Sequence, residues 1–420
     1  MSNELQIDAY PPAKMASRME EIGVTKAKMD FWTMFTLAVM AGAFIATGGI
    51  FLTTVTTGLS AAGVPYGLVR LVGSLVFCLG LIAVVVGGAE LFTGNNLIIM
   101  AYASGRITTA QLLRNWAIVY VGNFVGSVLT ALVMFLTGQY MFASGALGLN
   151  ALSIANAKCN LGFVQAIALG IMCNALVCLA VWLCASARST TDKILSILFP
   201  ITAFVAAGFE HSIANMYLIS IGLFIKSWAP PAFWEAIGRV PADFPYLTWP
   251  AFFLRNLLPV TIGNIIGGAG FVGFIYWFVY LRPKKVVEVA PGIMPRILVV
   301  DDDPDFVDLC RRILSKEGYQ VSAASDGQQA LSMMQNEQPD LVLLDVMMRT
   351  PLEGVTVAEK IAADPKLKTI PVVMVSSIDS SQYANLLPDT LHIPVDAWIS
   401  KPIDPDHLVR TVRRYVKSRR

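Results

Sequence analysis

The sequence predicts an α-helical membrane bundle of six spans, followed by a C-terminal α/β domain built on a doubly wound parallel sheet. Three observations predict it. Long uncharged runs fill Phe31 to Leu281, charge returns at Arg282 and persists, and from Arg296 short β-branched runs alternate with helical stretches. A composition of 55% hydrophobic and 14% charged residues is too apolar for an ordinary soluble chain of 420 residues, so two modules are expected. The net charge of +2 is too small to argue for a nucleic-acid partner, and none is expected.

Residues 1–30 are polar and mixed in charge, without the basic head, apolar core and small-residue site of a cleavable signal. Within them Pro12 to Asp30 reads as an amphipathic helix on the cytoplasmic face. A helix needs about 20 apolar residues to cross the hydrocarbon core. Spans are expected at 31–59, 66–102, 111–140, 163–187, 194–225 and 249–281, making residues 31–282 the membrane unit. The second and fifth are over-long and interrupted, at Gly87-Gly88 and Gly94-Asn95-Asn96 and between Gly208 and Asn215. Interruptions at corresponding places in two halves predict an inverted repeat with a pathway between the halves. A repeated motif supports it: Leu113-Arg114-Asn115, then Gly122-Asn123 and Gly126, returns in the same register as Leu254-Arg255-Asn256, then Gly263-Asn264 and Gly267.

Lys26, Lys28, Arg106, Arg188, Lys193, Arg282, Lys284 and Lys285 fall on one side of the expected spans, and mainly Lys158, Lys226 and Arg239 on the other. The positive-inside rule makes the first side cytoplasmic and places both termini there. His211, in the run Gly208-Phe209-Glu210-His211-Ser212-Ile213-Ala214-Asn215, is an ionisable residue at membrane depth beside a helix break, the pattern of a pathway residue. The six cysteines (Cys78, Cys159, Cys173, Cys178, Cys184, Cys310) show no metal-ligand spacing and read as inert thiols. Residues 283–295 form a short linker before the soluble domain, 296–420. Its strands are expected at 297–300, 320–323, 341–344, 372–375 and 397–400, with a basic helix over 410–420 and no output domain behind it.

Gly88-Ala89-Glu90-Leu91-Phe92-Thr93-Gly94, Ala103-Ser104-Gly105-Arg106-Ile107-Thr108, the Glu210-to-Met216 block and Pro259-Val260-Thr261-Ile262-Gly263-Asn264 resemble the formate/nitrite transporters, most closely the formate channels. The resemblance covers nearly all of residues 5–283. It implies an aquaporin-like fold in a homopentamer in the bacterial inner membrane, with a pore in each protomer and no cofactor in it. His211 would be the central pore histidine and Thr93 the loop threonine near it. Phe77 and Leu81 would form one apolar constriction and Phe92 and Phe204 the other. Asn174 and Asn264 would lie near the path, and Lys158 in the outer vestibule. Formate is the substrate implied first, then nitrite and other small anions; a membrane formate sensor is the reading from another class.

In the soluble domain, Asp301-Asp302-Asp303 after one strand, Asp345 after another, and Val375-Ser376 and Ser400-Lys401-Pro402 at two more resemble the receiver domain of two-component response regulators, a flavodoxin-like fold. That resemblance implies Asp345 as phosphoacceptor, and Mg2+ held by Asp301, Asp302, Asp345 and the Met347 carbonyl. Ser376 and Lys401 would contact the phosphoryl group, Trp398 would be the aromatic switch, and a histidine kinase the partner. The stretch from Asp345 to Gly354 is one residue longer than the usual pattern, which puts the geometry of that loop in question. Asp303 and Asp305 read as solvated helix-start residues. Met294-Pro295 reads like the start of a separate receiver gene, so the chain reads as a fusion, natural or engineered.

Overall fold

The computed structural model describes residues 9–282, 287–289, 293–348, 350, 352–376 and 394–418. The chain divides into two compact units, residues 7–281 and the region from Arg282 onward.

In the first unit, helix α1 (Pro12–Lys28) buries Met15, Ala16, Met19, Gly23 and Ala27, the expected amphipathic stripe. Among the described residues, six helices are long and apolar enough to cross a membrane: α2 (Phe31–Thr56), α3 (Tyr66–Gly87), α6 (Thr109–Leu136), α8 (Phe163–Cys184), α9 (Thr190–Ala207) and the helix Trp249–Tyr280. Their starts are written in the sequence. Asp30 caps α2 by accepting the Thr33 N–H at 3.0 Å, and Thr108 with Gln111 closes a capping box on α6. The outward faces expose Leu68, Val133, Val164, Phe199 and Phe271, side chains suited to hydrocarbon.

Two expected spans are shorter than their apolar runs. Helix α3 ends at Gly88 and α9 at Gly208, with φ of +76° and +78°, the left-handed region in which glycine is unstrained. Three residues then lie outside any helix. Leu91 (φ −109°) and His211 (φ −108°) follow nearly the same path before helix resumes. After the first break the chain forms only short pieces, α4 (Phe92–Asn95), a 3-10 turn and α5 (Ile99–Ala103). After the second it forms α10 (Ser212–Trp228), whose residues 212–225 are all buried.

A helix not anticipated from the sequence, α7 (Ala146–Cys159), precedes the fourth span as α1 precedes the first. It is too short to cross and too mixed in composition to stand out. Three spans per half is an odd number, so the second half begins on the opposite side of the membrane, which makes the repeat inverted. The repeated glycines mark where the third span of each half lies against the first. A Cβ on Gly126 would stand 1.9 Å from the Val39 carbonyl oxygen of α2, and one on Gly267 would stand 2.1 Å from the Ile171 carbonyl oxygen of α8.

In the second unit, parallel strands β2 (Arg296–Val300), β3 (Gln320–Ala324), β4 (Leu341–Asp345), β5 (Val372–Ser376) and β6 (Ala397–Ser400) order as β3-β2-β4-β5-β6. Strands β4 and β5 are buried throughout, as a sheet covered on both faces requires. Helices Gly327–Glu337 and Glu353–Ala363 contribute to one apolar layer, and Pro304–Lys316 and Pro405–Tyr415 to the other. The last helix stops at Tyr415, short of the expected end. Val416–Ser418 (β7) instead pairs in parallel with Val287–Val289 (β1), inside the expected linker, where β-branched valines favour strand.

We expect Gly126→Ala and Gly267→Ala each to lower the unfolding temperature of the detergent-purified protein, by a destabilisation of roughly 1–3 kcal/mol from overpacking. Thermal melts read this out, and equal losses at both positions would match the repeat.

Candidate functional site

The two helix breaks are held by nearly the same set of bonds. At the first, the Glu90 carboxylate is buried and accepts from Lys26 Nζ at 2.6 Å and from Asn95 Nδ2 at 2.7 Å. Asn95 also donates to Asn115 Oδ1 at 3.0 Å, and Asn115 donates to the Lys26 carbonyl at 3.1 Å. At the second, Glu210 accepts from Lys158 Nζ at 2.7 Å and Asn215 Nδ2 at 2.7 Å. Asn215 donates to Asn256 Oδ1 at 2.7 Å, and Asn256 to the Lys158 carbonyl at 2.9 Å. Asn123 and Asn264 complete the match. Asn123 Oδ1 accepts the Phe92 N–H at 2.9 Å and its Nδ2 donates to the Glu90 carbonyl at 2.9 Å. Asn264 Oδ1 accepts the Ser212 N–H at 3.0 Å and its Nδ2 donates to the Glu210 carbonyl at 3.0 Å.

The sequence suggests that Glu210 bonds free backbone groups; the structure gives it side-chain partners instead, and asparagines serve the backbone. Asn174 belongs to the same scaffold, since Nδ2 donates to the carbonyls of Thr93 (3.2 Å) and Asn264 (2.7 Å). Asn174 and Asn264 are fully buried and line neither of the two cavities described below.

Between the breaks, Thr93 Oγ1 lies 3.0 Å from His211 Nε2. His211 is also the N-cap of α10, its Nδ1 accepting the Ala214 N–H at 3.0 Å. With Nδ1 engaged as acceptor, the neutral ring carries its proton on Nε2 and donates it to Thr93. A second proton can enter only at Nδ1, by opening the cap.

A cavity of about 280 Å³ reaches this histidine and is lined by Arg70, Phe77, Lys158, Phe204, Glu210 and Asn215 among others. A second, of about 290 Å³, is lined by Lys26, Leu81, Glu90, Leu91 and Asn95 among others. The apolar side chains divide differently from the expected pairs. Phe77 and Phe204 meet edge to face with ring centres 6.0 Å apart, and Phe204 stacks on His211 at 5.8 Å. Leu81 belongs to the other cavity with Leu91. Phe92 packs on Tyr120 at 4.9 Å and lines neither cavity. Pairing across a pathway depends on the rotation of α3 against α9, which the sequence does not display.

Arg70 was not anticipated. Its guanidinium donates to the Val205 and Ala206 carbonyls, the latter at 3.0 Å, at the end of α9. One signal existed, for Arg70 is the sole charged residue between Phe31 and Ala89.

In the second unit the carboxyl ends of the strands converge. Asp301, Asp302 and Asp345 place carboxylate oxygens within 4.8 Å of one another. Lys401 Nζ reaches Asp301 at 2.7 Å and Asp345 at 3.3 Å, and sits 4.0 Å from the centre of the Phe306 ring. Hard carboxylate oxygens at this spacing fit a divalent cation of the magnesium type. Burial, then the neighbouring Asp301, pushes the Asp345 carboxyl above the usual carboxylate range against the pull of Lys401. Burial would lower Lys401, but its bonds to the two aspartates raise it.

Ser376 is buried at the end of β5, and its carbonyl accepts the Lys401 N–H at 2.6 Å. Trp398 is partly exposed, with about a third of its surface open, and Met347 is exposed beside the cluster. Asp303 caps its helix by accepting the N–H groups of Asp305 and Phe306. The lengthened loop, of which Arg349 and Pro351 lie outside the described residues, closes through Leu352 at φ +64°. Glu353 pins it by accepting the N–H groups of Gly327 (2.9 Å) and Thr350 (3.3 Å).

The family profile described as Formate/nitrite transporter matches residues 13–278, and the one described as Response regulator receiver domain matches residues 297–413. The formate channel FocA of Escherichia coli (strain K12) is 49% identical over 282 residues, covering 67% of this chain and 98% of that protein. A probable formate transporter of Methanothermobacter thermautotrophicus is 38% identical, covering 64% and 97%. Among solved structures, a pentameric formate channel with formate bound aligns with a TM-score of 0.57 at 48% identity, covering 60% of this chain and 98% of that one.

The raised pKa of Asp345 means that its contribution to stability is fullest at low pH and falls as pH rises through its folded value. We expect Asp345→Asn, with metal chelated, to unfold at a higher temperature than the parent chain at neutral pH. The gap should close on acidification, as followed by the thermal transition of the second unit in the full-length protein.

Proposed function

Because the chain belongs to the formate/nitrite transporter family and carries a response-regulator receiver domain, we propose that it is a formate channel whose receiver regulates the pore. The observation that carries the reading is the Thr93–His211 contact between the two broken helices, reached from a cavity behind the Phe77–Phe204 pair. The assembly is a homopentamer in the bacterial inner membrane with both termini cytoplasmic. The likeness to a pentameric formate channel and the charge distribution support this.

An apolar constriction penalises a bare anion heavily and a neutral acid little. Arg70 and Lys158 draw formate toward the constriction. His211, fixed as an Nε2–H donor by its cap, hydrogen-bonds the substrate where the cavity reaches the ring. Proton-linked passage requires that cap to open, so the ring's role is donation first and protonation second.

In the receiver, Asp345 accepts a phosphoryl group from a histidine kinase. Asp301, Asp302 and Asp345, with the Met347 carbonyl, would hold Mg2+, which when bound would supply positive charge against the phosphoryl oxygens. Lys401 and Ser376 contact its oxygens, and Trp398 responds to their shift. The change alters flux through local electrostatics acting on a two-state element.

Formate flux into liposomes before and after acetyl phosphate with Mg2+ tests this. We expect a change in flux that Asp345→Ala abolishes. Flux indifferent to acetyl phosphate would retain the channel and remove the regulation. Binding without turnover would favour a formate sensor, and flux of nitrite in preference to formate would reassign the substrate. We also expect His211→Ala to flatten the pH dependence of flux; an unchanged profile would exclude a proton role for the ring.

A further inference from the structure

Tyr120 on α6 and Thr261 on the last span bring their hydroxyl oxygens to 2.8 Å, at hydrogen-bond distance. They stand 141 residues apart, the offset that also separates Asn115 from Asn256 and Asn123 from Asn264. The two positions are therefore mates in the repeat. An inverted repeat exchanges mates by rotation about its pseudo-two-fold axis, so mates that touch straddle that axis. Tyrosine reaches across it because its mate is small.

The tie bears on the helix break of one half only. The Phe92 ring stands edge to face on Tyr120, with ring centres 4.9 Å apart, and on Trp116 at 6.2 Å. Trp116 is itself anchored, its Nε1 donating to the Asn95 carbonyl at 3.0 Å, and Asn123 Oδ1 accepts the Phe92 N–H. Trp116, Tyr120 and Asn123 recur at helical spacing, so one face of α6 grips the ring and the backbone of Phe92 together. The next residue is Thr93, whose hydroxyl lies 3.0 Å from His211 Nε2. In the other half the residue matching Phe92 is Ser212, its N–H accepted by Asn264 in the same way, and a serine offers Thr261 no ring to hold. Tyr120, Thr261 and Phe92 line neither of the two cavities described above. Their influence on a passing solute must therefore act through Thr93.

We propose that Tyr120 is a positioning residue for size discrimination: pinned across the axis by Thr261, it holds Phe92, and through it the Thr93 hydroxyl, at a fixed distance from His211. The Thr93–His211 contact lies where the two breaks meet, so its spacing sets how large a monocarboxylate passes. With the support removed, Thr93 gains play. Acetate, which carries a methyl where formate carries a hydrogen, is the solute that benefits. This rests on the reading of the first unit as a formate channel.

The test is the ratio of acetate to formate flux through the full-length protein in liposomes. A ratio does not depend on how many channels fold, so a loss of stability alone leaves it unchanged. Tyr120→Leu removes ring and hydroxyl and should raise the ratio about two- to tenfold, the worth of an edge-to-face ring pair. Tyr120→Phe and Thr261→Val each keep the ring and break the same tie. They should raise the ratio less, by equal amounts, and their combination should add nothing further. Exchanging the two side chains, Tyr120→Thr with Thr261→Tyr, keeps a hydroxyl pair across the axis but takes the ring away from Phe92, and should keep the raised ratio. An unchanged ratio in Tyr120→Leu, or return of the parent ratio in the exchange, would overturn the positioning role while leaving the channel intact. Absence of formate flux through the parent protein would instead remove the channel reading, and this role with it. If the exchange or the leucine variant does not fold, the Tyr120→Phe and Thr261→Val variants, singly and combined, decide.

Discussion

A carboxylate placed inside a membrane protein must be matched within a few ångströms, and in this chain that requirement is met twice by the same device. Glu90 and Glu210 each sit in a non-helical segment between a crossing helix and an interior one, where backbone groups have lost their helical partners. Each accepts from one lysine and from the asparagine five residues on, and Glu210 also from Asn256 at 3.1 Å. The lysine carbonyls are in turn held by Asn115 and Asn256 on the third spans. A buried pair of this kind adds little stability in itself, but removing either partner strands a charge, at a cost of about 3–5 kcal/mol. The knot therefore acts as a constraint: it ties the amphipathic helix, the break and the third span of each half into one geometry.

That geometry brings the tips of the breaks together and lets two equivalent positions diverge. Leu91 and His211 follow Glu90 and Glu210 with nearly the same backbone angles. One is a leucine that lines the second cavity with Leu81, the other an imidazole that caps its own helix and donates to Thr93. The duplication supplied the scaffold, and a single side chain on one copy supplies a polar contact at the centre of the unit. Asn174 and Asn264 serve this arrangement from behind by satisfying the carbonyls of Thr93 and Glu210.

The second unit follows a different logic. Its parallel register brings Asp301, Asp345, Ser376 and Lys401 to one edge, because each directly ends or follows a strand of the same sheet. The tension there is electrostatic: two buried carboxylates repel, and Lys401 between them relieves only part of it. The lengthened loop is tied through Glu353 to the start of the helix Gly327–Glu337, and the Gly354 N–H donates to the Val346 carbonyl at 3.2 Å just after β4. The added residue thus leaves the acceptor edge assembled.

By itself the sequence determined what depends on local composition: the apolar lengths of the spans, the glycine breaks at Gly88 and Gly208, the β-branched strands to within a residue, and the repeated Leu-Arg-Asn and Gly-Asn motif. These signals are carried by neighbouring residues and survive without knowledge of packing. The partners of Glu210, the contact of Phe77 with Phe204, the turn of Phe92 toward Tyr120, the helix α7 and the role of Arg70 were decided only in three dimensions. Each depends on how one helix is rotated and raised against another distant in the chain. A rotation of one residue on α3 or α9, about 100° on an α-helix, would aim a different side chain into the cavity without altering the apolar pattern.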